Sequence, residues 1–381
     1  MRKTVVIDTF SIGGFHEMFN ASFLYVIFNS TEGPITYIAD KTAIQSIKQL
    51  LKNNSQFHEM LERVTFKEKC LLKGLSFYAI FFRYCFGALL NIFYLFRYRR
   101  DRIMFPALNP VFSIFLKMIL KIQKTETYVV CHGELSYLFT SYRKISPLFW
   151  YASFLRPFFS GLLPSTLKLI LLGPSIVRNF TVHYPKLLPN IVSIPHPYIF
   201  DEVEIRRSQE GQVVHFGWVG VASEAKGFSI FATMVRDFCE RYNHMFTAHL
   251  VGWHPFPKDA YPSIQFASPA HIFLERSLFN QAVSQLDYIL FFYNNAQYKY
   301  TASGAIFDAI EHGKLLIALR NDYFESIFEA CGAIGFLCDS IEDMYLIVER
   351  VLRHEIEVEQ FYFNLENARK IFSCAHIKLI V

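Results

Sequence analysis

Between residues 288 and 319 the chain reads as strand, loop, helix and strand. An apolar run, 288–293, leads into Tyr300, Thr301, Ala302, Ser303 and Gly304; a helical stretch follows through Asp308, Gly313 and Lys314 close it, and 315–319 is apolar again. Runs that are apolar along their whole length are the mark of parallel strands covered on both faces. The segment therefore constrains the chain to an α/β architecture. Where its loop becomes its helix, a hydroxyl and several unpaired backbone N–H groups converge at the positive end of a helix dipole, an arrangement suited to phosphate. Asp308, about one turn further on, is placed to accept hydrogen bonds from sugar hydroxyls attached to that phosphate. A plain βαβ unit, with Ser303 as a cap and Asp308 solvated, accounts for the same residues.

Upstream, Val213, Val214, His215 and Phe216 form an apolar strand that runs through Gly217, Trp218, Val219 and Gly220 toward Lys226 and Gly227. Lys226 stands at a helix entrance, where its ammonium can neutralise a diphosphate. The order is a strand with Gly217, then Lys226-Gly227, a strand with Leu250, Val251 and Gly252, the strand at 288–293, Ser303-Gly304 and Gly313-Lys314. That order resembles the C-terminal domain of GT-B glycosyltransferases, in particular the retaining family 4 (glycosyl transferases group 1), over about residues 212–350. The resemblance implies two Rossmann-like doubly wound parallel-sheet domains facing a cleft. It implies donor binding by Gly217, Lys226, Tyr300, Ser303, Gly304 and Asp308, with the phosphate on Lys226 and Ser303 and the ribose on Asp308. Three positions depart from the family pattern: Trp218 stands for an Arg, Tyr300 for a Glu, and Asp308 for a Glu.

Composition fits two domains. At 381 residues the chain exceeds what one core usually organises, so two domains of about 190 residues are expected. The boundary is placed at 198/199, with a linker in the polar stretch 197–212 and the tail from 359 onward packing back on the first domain. A net charge of +5 suits an anionic surface or substrate without a nucleic-acid motif, so no nucleic-acid partner is expected. Seven cysteines, scattered and without a CxxC, read as reduced thiols. Met1, Arg2 and Lys3 lead straight into a short apolar strand with no apolar leader, and a cytoplasmic protein is expected.

The first strand is followed by Gly13, Gly14 and His16 in a loop that enters a helix running through Phe19 to about residue 28. Two glycines let the backbone turn tightly and approach a ligand closely, and a plain turn explains them equally. In the resembling family this loop faces the acceptor and the donor phosphate. Thr127, Tyr128, Val129, Val130 and Cys131 form a further strand that delivers His132, Gly133 and Glu134 at its carboxyl end, where open parallel sheets bind ligands. His132 is the candidate for contact with the donor sugar, by the same resemblance. Glu134 is the candidate for acceptor binding or a base.

Residues 75–96 form a long aromatic and apolar stretch interrupted by Arg83, Gly87 and Asn91 and followed by Arg97, Arg99 and Arg100. It is long enough to span a bilayer, but a mid-span charge costs several kcal/mol in a lone helix. A second apolar stretch carries Lys117, Lys121 and Lys124. Peripheral contact with the inner face of an anionic membrane and a core helix with a solvated basic face are the two readings.

The resulting expectation is a glycosyltransferase that moves a sugar from a nucleotide donor to a glycan or lipid-linked acceptor in bacterial-type surface polysaccharide biosynthesis, retaining by resemblance, with no metal or other cofactor. The alternatives are a non-catalytic nucleotide-sugar-binding protein, motivated by Trp218 and Tyr300, and a nucleotide-sugar epimerase of the same fold.

Overall fold

The structure, a computed structural model, describes residues 2–380 apart from 53–54, 75, 202–204, 206, 208–211, 243, 258 and 294–297. Half of the expected linker, 197–212, lies outside the described residues. The chain forms two compact units, Met1–Ile199 with Tyr300–Ala302 and Phe372–Val381, and Phe200–Lys299 with Ser303–Ile371. The helix Glu359–Phe372 thus belongs almost wholly to the second unit, and only the final residues join the first.

In the first unit seven strands make one sheet: β1 (Thr4–Ile7), β2 (Ile35–Asp40), β3 (Val64–Lys69), β4 (Arg102–Phe105), β5 (Thr127–Cys131), β6 (Leu167–Leu172) and β7 (Ile191–Ile194). Their order is β3-β2-β1-β4-β5-β6-β7, and every pairing is parallel. β1, β2 and β5 are buried along their whole length, as continuous apolar strands require when helices cover both faces. Phe23, Tyr37, Ile44, Met104 and Ile170 share one core with Cys374, Ile377 and Leu379 from the chain end. That end is held by backbone bonds between Tyr198 and both Phe372 and Cys374, and by the Leu379 N–H on Ser30 Oγ.

The second unit repeats the plan with six strands: β8 (Val214–Val219), β9 (Phe246–Val251), β10 (Ile264–Phe266), β11 (Tyr288–Phe291), β12 (Leu315–Leu319) and β13 (Gly335–Cys338), in the order β10-β9-β8-β11-β12-β13 and all parallel. In both sheets the winding reverses beside the first strand, between β1 and β4 and between β8 and β11. A crevice opens beyond the strand ends at such a switch point, and ligands of doubly wound sheets bind there.

Candidate functional site

At the first switch point the loop after β1 is organised by the buried carboxylate of Asp8. Its Oδ1 accepts the N–H groups of Phe10 and Ser11, each at 2.9 Å, and its Oδ2 accepts Asn20 Nδ2 at 2.9 Å. Gly13 takes a left-handed φ of 57° and donates its N–H to Thr42 Oγ1 at 2.9 Å. Gly14 is exposed, and a side-chain carbon there would meet the carboxylate of Glu17 at 3.0 Å. His16 caps the helix Glu17–Ser30 in a left-handed conformation (φ 58°), an uncommon backbone for a non-glycine residue and one that clusters at functional sites.

The exposed ring of His16 lies edge-on to His132, with centroids 5.2 Å apart, and Phe19 lies edge-on to both His132 (4.4 Å) and His196 (5.1 Å). His132 Nε2 is 2.9 Å from the Pro106 carbonyl in the loop after β4. A carbonyl only accepts, so Nε2 carries the proton and Nδ1 is left as the acceptor. Burial first, then the neighbouring His16 and His196, holds His132 well below the usual imidazole range. His196 is pushed down to about 3, mainly by burial. Glu134 accepts the His132 backbone N–H at 2.7 Å, and burial raises its carboxyl to about 7. The site thus offers neutral imidazoles and a carboxyl that changes charge near neutrality. Tyr300 and Thr301 adjoin it: Tyr300 stacks on Phe139 at 3.9 Å, and a side-chain carbon on Gly133 would sit 3.5 Å from Thr301.

The second switch point carries charged side chains in place of imidazoles. Gly220 ends β8 with φ +100°, and its added Cβ would lie 3.9 Å from the Cβ of Ala305, the first residue of the helix Ala305–Glu311. Lys226 follows in a short 3-10 turn closed by Gly227 (φ +83°), where a Cβ would collide with Phe292 at 2.7 Å. This close approach of the loops after β8 and β11 requires glycine. The Lys226 ammonium lies 5.5 Å from the Tyr293 ring centroid, and the Tyr293 hydroxyl is hydrogen-bonded to Ser303. Burial lowers Lys226 to about 8. Asp308 is paired with Arg276 (Nη1 to Oδ1, 2.9 Å), whose Nη2 reaches the fully buried Glu311 at 2.8 Å.

Two parallel doubly wound sheets, each with a site at its switch point, match whole solved structures. WaaG, a glycosyltransferase involved in lipopolysaccharide biosynthesis, aligns with 97% of this chain and 95% of its own, at 16% identity and a TM-score of 0.61. The chain has the GT-B fold. Sucrose-phosphate synthase from Thermosynechococcus elongatus (97% and 94% coverage, 11% identity, TM-score 0.62) and TarM (98% and 96%, 11%, 0.60) share it. No protein-family model matches the sequence, and no curated protein does.

Within the GT-B frame several sequence expectations move. Gly217 is not in the loop but inside β8, where an added Cβ would lie 2.3 Å from Leu286, so it serves packing, and Gly220 is the glycine at the mouth. Trp218 does not occupy a clamp position: it is buried against Phe228, Phe231 and Phe292, and the first side chain beyond Gly220 is the partly exposed Val221. Ser303 is buried against Tyr293 rather than capping the helix, whose N-cap is the exposed Gly304. Tyr300 belongs with the first unit, whereas Ser303, Gly304 and Asp308 belong with the second. Lys314 is spent on the Ser284 carbonyl at 2.8 Å. Sequence reasoning missed Arg276, which carries no local signature, and His196, whose proline-rich surroundings read only as the end of a strand. Gly220 was legible as the last glycine before Lys226.

Proposed function

We propose that this GT-B protein is a glycosyltransferase that moves a sugar from a nucleotide-diphosphate donor to a glycan or lipid-linked acceptor, in the chemistry of bacterial-type surface polysaccharides, with retention at the anomeric carbon and without a metal. The observation that carries the reading is Lys226. It is a half-buried ammonium beside the glycine mouth of β8, held over an aromatic ring with no ion-pair or hydrogen-bond partner among the described residues. A desolvated cation without a counterion is costly, and an anionic ligand such as a diphosphate relieves that cost. The amides of Gly304 and Ala305, at a helix start, supply further donors for the same anion. Negative charge develops on the departing diphosphate, which is where such groups stabilise a transition state.

On this reading Asp308 accepts from the ribose while Arg276 holds its carboxylate in place. His132 accepts a sugar hydroxyl at Nδ1. Glu134, charged only above about pH 7, takes the acceptor proton. Support for the polysaccharide setting comes from WaaG, which is described as acting in lipopolysaccharide biosynthesis.

The test is thermal stabilisation of the protein by a panel of nucleotide sugars, followed by transfer assays with the best binder. Lys226→Ala should weaken donor binding by about 1.5–3 kcal/mol, the worth of a hydrogen bond to a charged group. His132→Ala should lower kcat far more than it changes donor affinity. Donor affinity unchanged in Lys226→Ala, with folding intact, would refute the site. A protein that binds donors but neither transfers nor hydrolyses them would be the non-catalytic binder that Tyr300, in place of a Glu, allows.

A further inference from the structure

The helix Phe77–Arg97 is built inside out. Its polar residues face the protein: Arg83 and Asn91 are buried, and Gly87 lies between them, where a Cβ would meet the Thr9 carbonyl at 2.9 Å. Arg83 Nε donates to the Leu72 carbonyl at 2.9 Å and its Nη2 to that of Gly74, and Asn91 Oδ1 accepts Thr9 Oγ1 at 3.0 Å. The interruptions that broke the apolar run in the sequence are therefore the groups that fasten the helix down. Its outer side carries Tyr78, Phe82, Leu89, Phe93 and Phe96, between 53% and 72% exposed, with Phe86 less so. At about 100° per residue these six fall within about 80° of arc, a continuous apolar stripe roughly 30 Å long. A soluble helix places such a stripe against its core, and contiguous apolar surface of this size left outside marks an interaction site.

Charge identifies the occupant. Arg97, Arg99 and Arg100 are exposed where the stripe ends. The helix Pro110–Ile122 packs alongside and exposes Met118 and Ile122 next to Lys121, with Lys124 just beyond. Neither helix contains an acidic residue. Lys117 takes no part, because its ammonium is used on the carbonyls of Pro157, Phe158 and Ser160. Apolar aromatic surface edged by arginine and lysine, with no acid in either helix and Asp101 beside Arg100, is what an interfacial helix presents to anionic lipid. By length and composition the stretch Tyr78–Arg97 could cross a membrane. Crossing would strip Arg83 and Asn91 of their hydrogen-bond partners in hydrocarbon.

We propose that the exposed stripe of the helix Phe77–Arg97, with Arg97, Arg99, Arg100, Lys121 and Lys124 at its edges, docks on an anionic lipid bilayer so that this helix lies in the interfacial plane. The proposal is independent of the sugar-transfer reading. The full chain should co-sediment with phosphatidylcholine–phosphatidylglycerol vesicles at low salt, bind pure phosphatidylcholine vesicles much less, and dissociate as salt rises. Arg99→Gln with Arg100→Gln should weaken vesicle binding by about 30-fold, at about 1 kcal/mol for each charge. Leu89→Gln with Phe93→Gln should do so even at low salt, and these exposed changes leave the fold intact by circular dichroism. Absence of binding to anionic vesicles, or equal binding to neutral ones, overturns the proposal. So does retention that only detergent reverses, which means a span, or a dimer in lipid-free solution that Leu89→Gln with Phe93→Gln dissociates, which means that a second copy covers the stripe.

Discussion

The two sheets have the same winding but their switch points carry opposite chemistry. In the first unit the mouth is lined by His16, His132 and His196 around Phe19, with a carboxyl at Glu134 raised to about 7, so the groups there are neutral or close to neutralisation. In the second the mouth carries Lys226 and the Arg276–Asp308–Glu311 cluster. Topology sets where a site lies, and the few residues beyond the strand ends set what it binds. A neutral, hydrogen-bonding mouth suits sugar hydroxyls; an ammonium without a counterion, as at Lys226, suits phosphate.

The comparison breaks most visibly at the second mouth if its cation is misplaced. Trp218→Arg, which restores the family's usual residue at that sequence position, should unfold the second unit, because it buries an unpaired guanidinium where the indole packs on Phe228, Phe231 and Phe292; the cost is several kcal/mol. Val221→Arg, one residue beyond the mouth glycine, should change stability by less than about 0.5 kcal/mol and tighten nucleotide-sugar binding. Denaturant melts of both variants decide it, and a stable Trp218→Arg protein would show that the clamp position has been misassigned.

Next in size is the ion-pair cluster. Arg276→Gln removes the guanidinium that meets the fully buried Glu311 and should destabilise the protein by about 3 kcal/mol. Adding Glu311→Gln should recover most of that loss while donor affinity stays low, because the Arg276–Asp308 pair stays broken. If the double variant binds donor normally, Arg276 serves stability alone.

The pH dependences separate the mouths. Glu134 has a folded pKa of about 7 against a reference of 4.5, so its contribution to stability is fully present below about 4.5 and is lost as pH rises through about 7, roughly 3 kcal/mol in all. Glu134→Gln should remove that slope and, with it, the rise of the transfer rate through about pH 7. The depressed histidines act the other way, since their neutral folded forms lose stability as pH falls below about 6.5. The difference between wild type and Glu134→Gln therefore isolates the carboxyl. At the second mouth, donor affinity should fall as pH rises through about 8, when the Lys226 ammonium loses its proton. Lys226→Arg, charged throughout, should flatten that curve; an unchanged curve would mean that another group titrates there.

Much of this was written along the chain. Continuous apolar runs specified buried parallel strands, and glycine with a following helix located the turns beyond β1, β8 and β11, because burial on both faces and left-handed backbone are demands each segment makes on its own residues. His132, Glu134, Lys226 and Asp308 could be named as candidates for the same reason: each stands just past a strand or in the first turns of a helix. Tertiary structure alone decided the rest. That Gly217 packs against Leu286 while Gly220 opens the mouth, that Trp218 points into the core, that Arg276 reaches across 32 residues to Asp308, and that Arg83 and Asn91 turn inward while the aromatic stripe faces out all depend on which distant segment lies opposite a given side chain. Local pattern records how a residue is covered, but its partner is chosen by packing between elements far apart in sequence, and the physical role of a charge or a glycine follows from that partner.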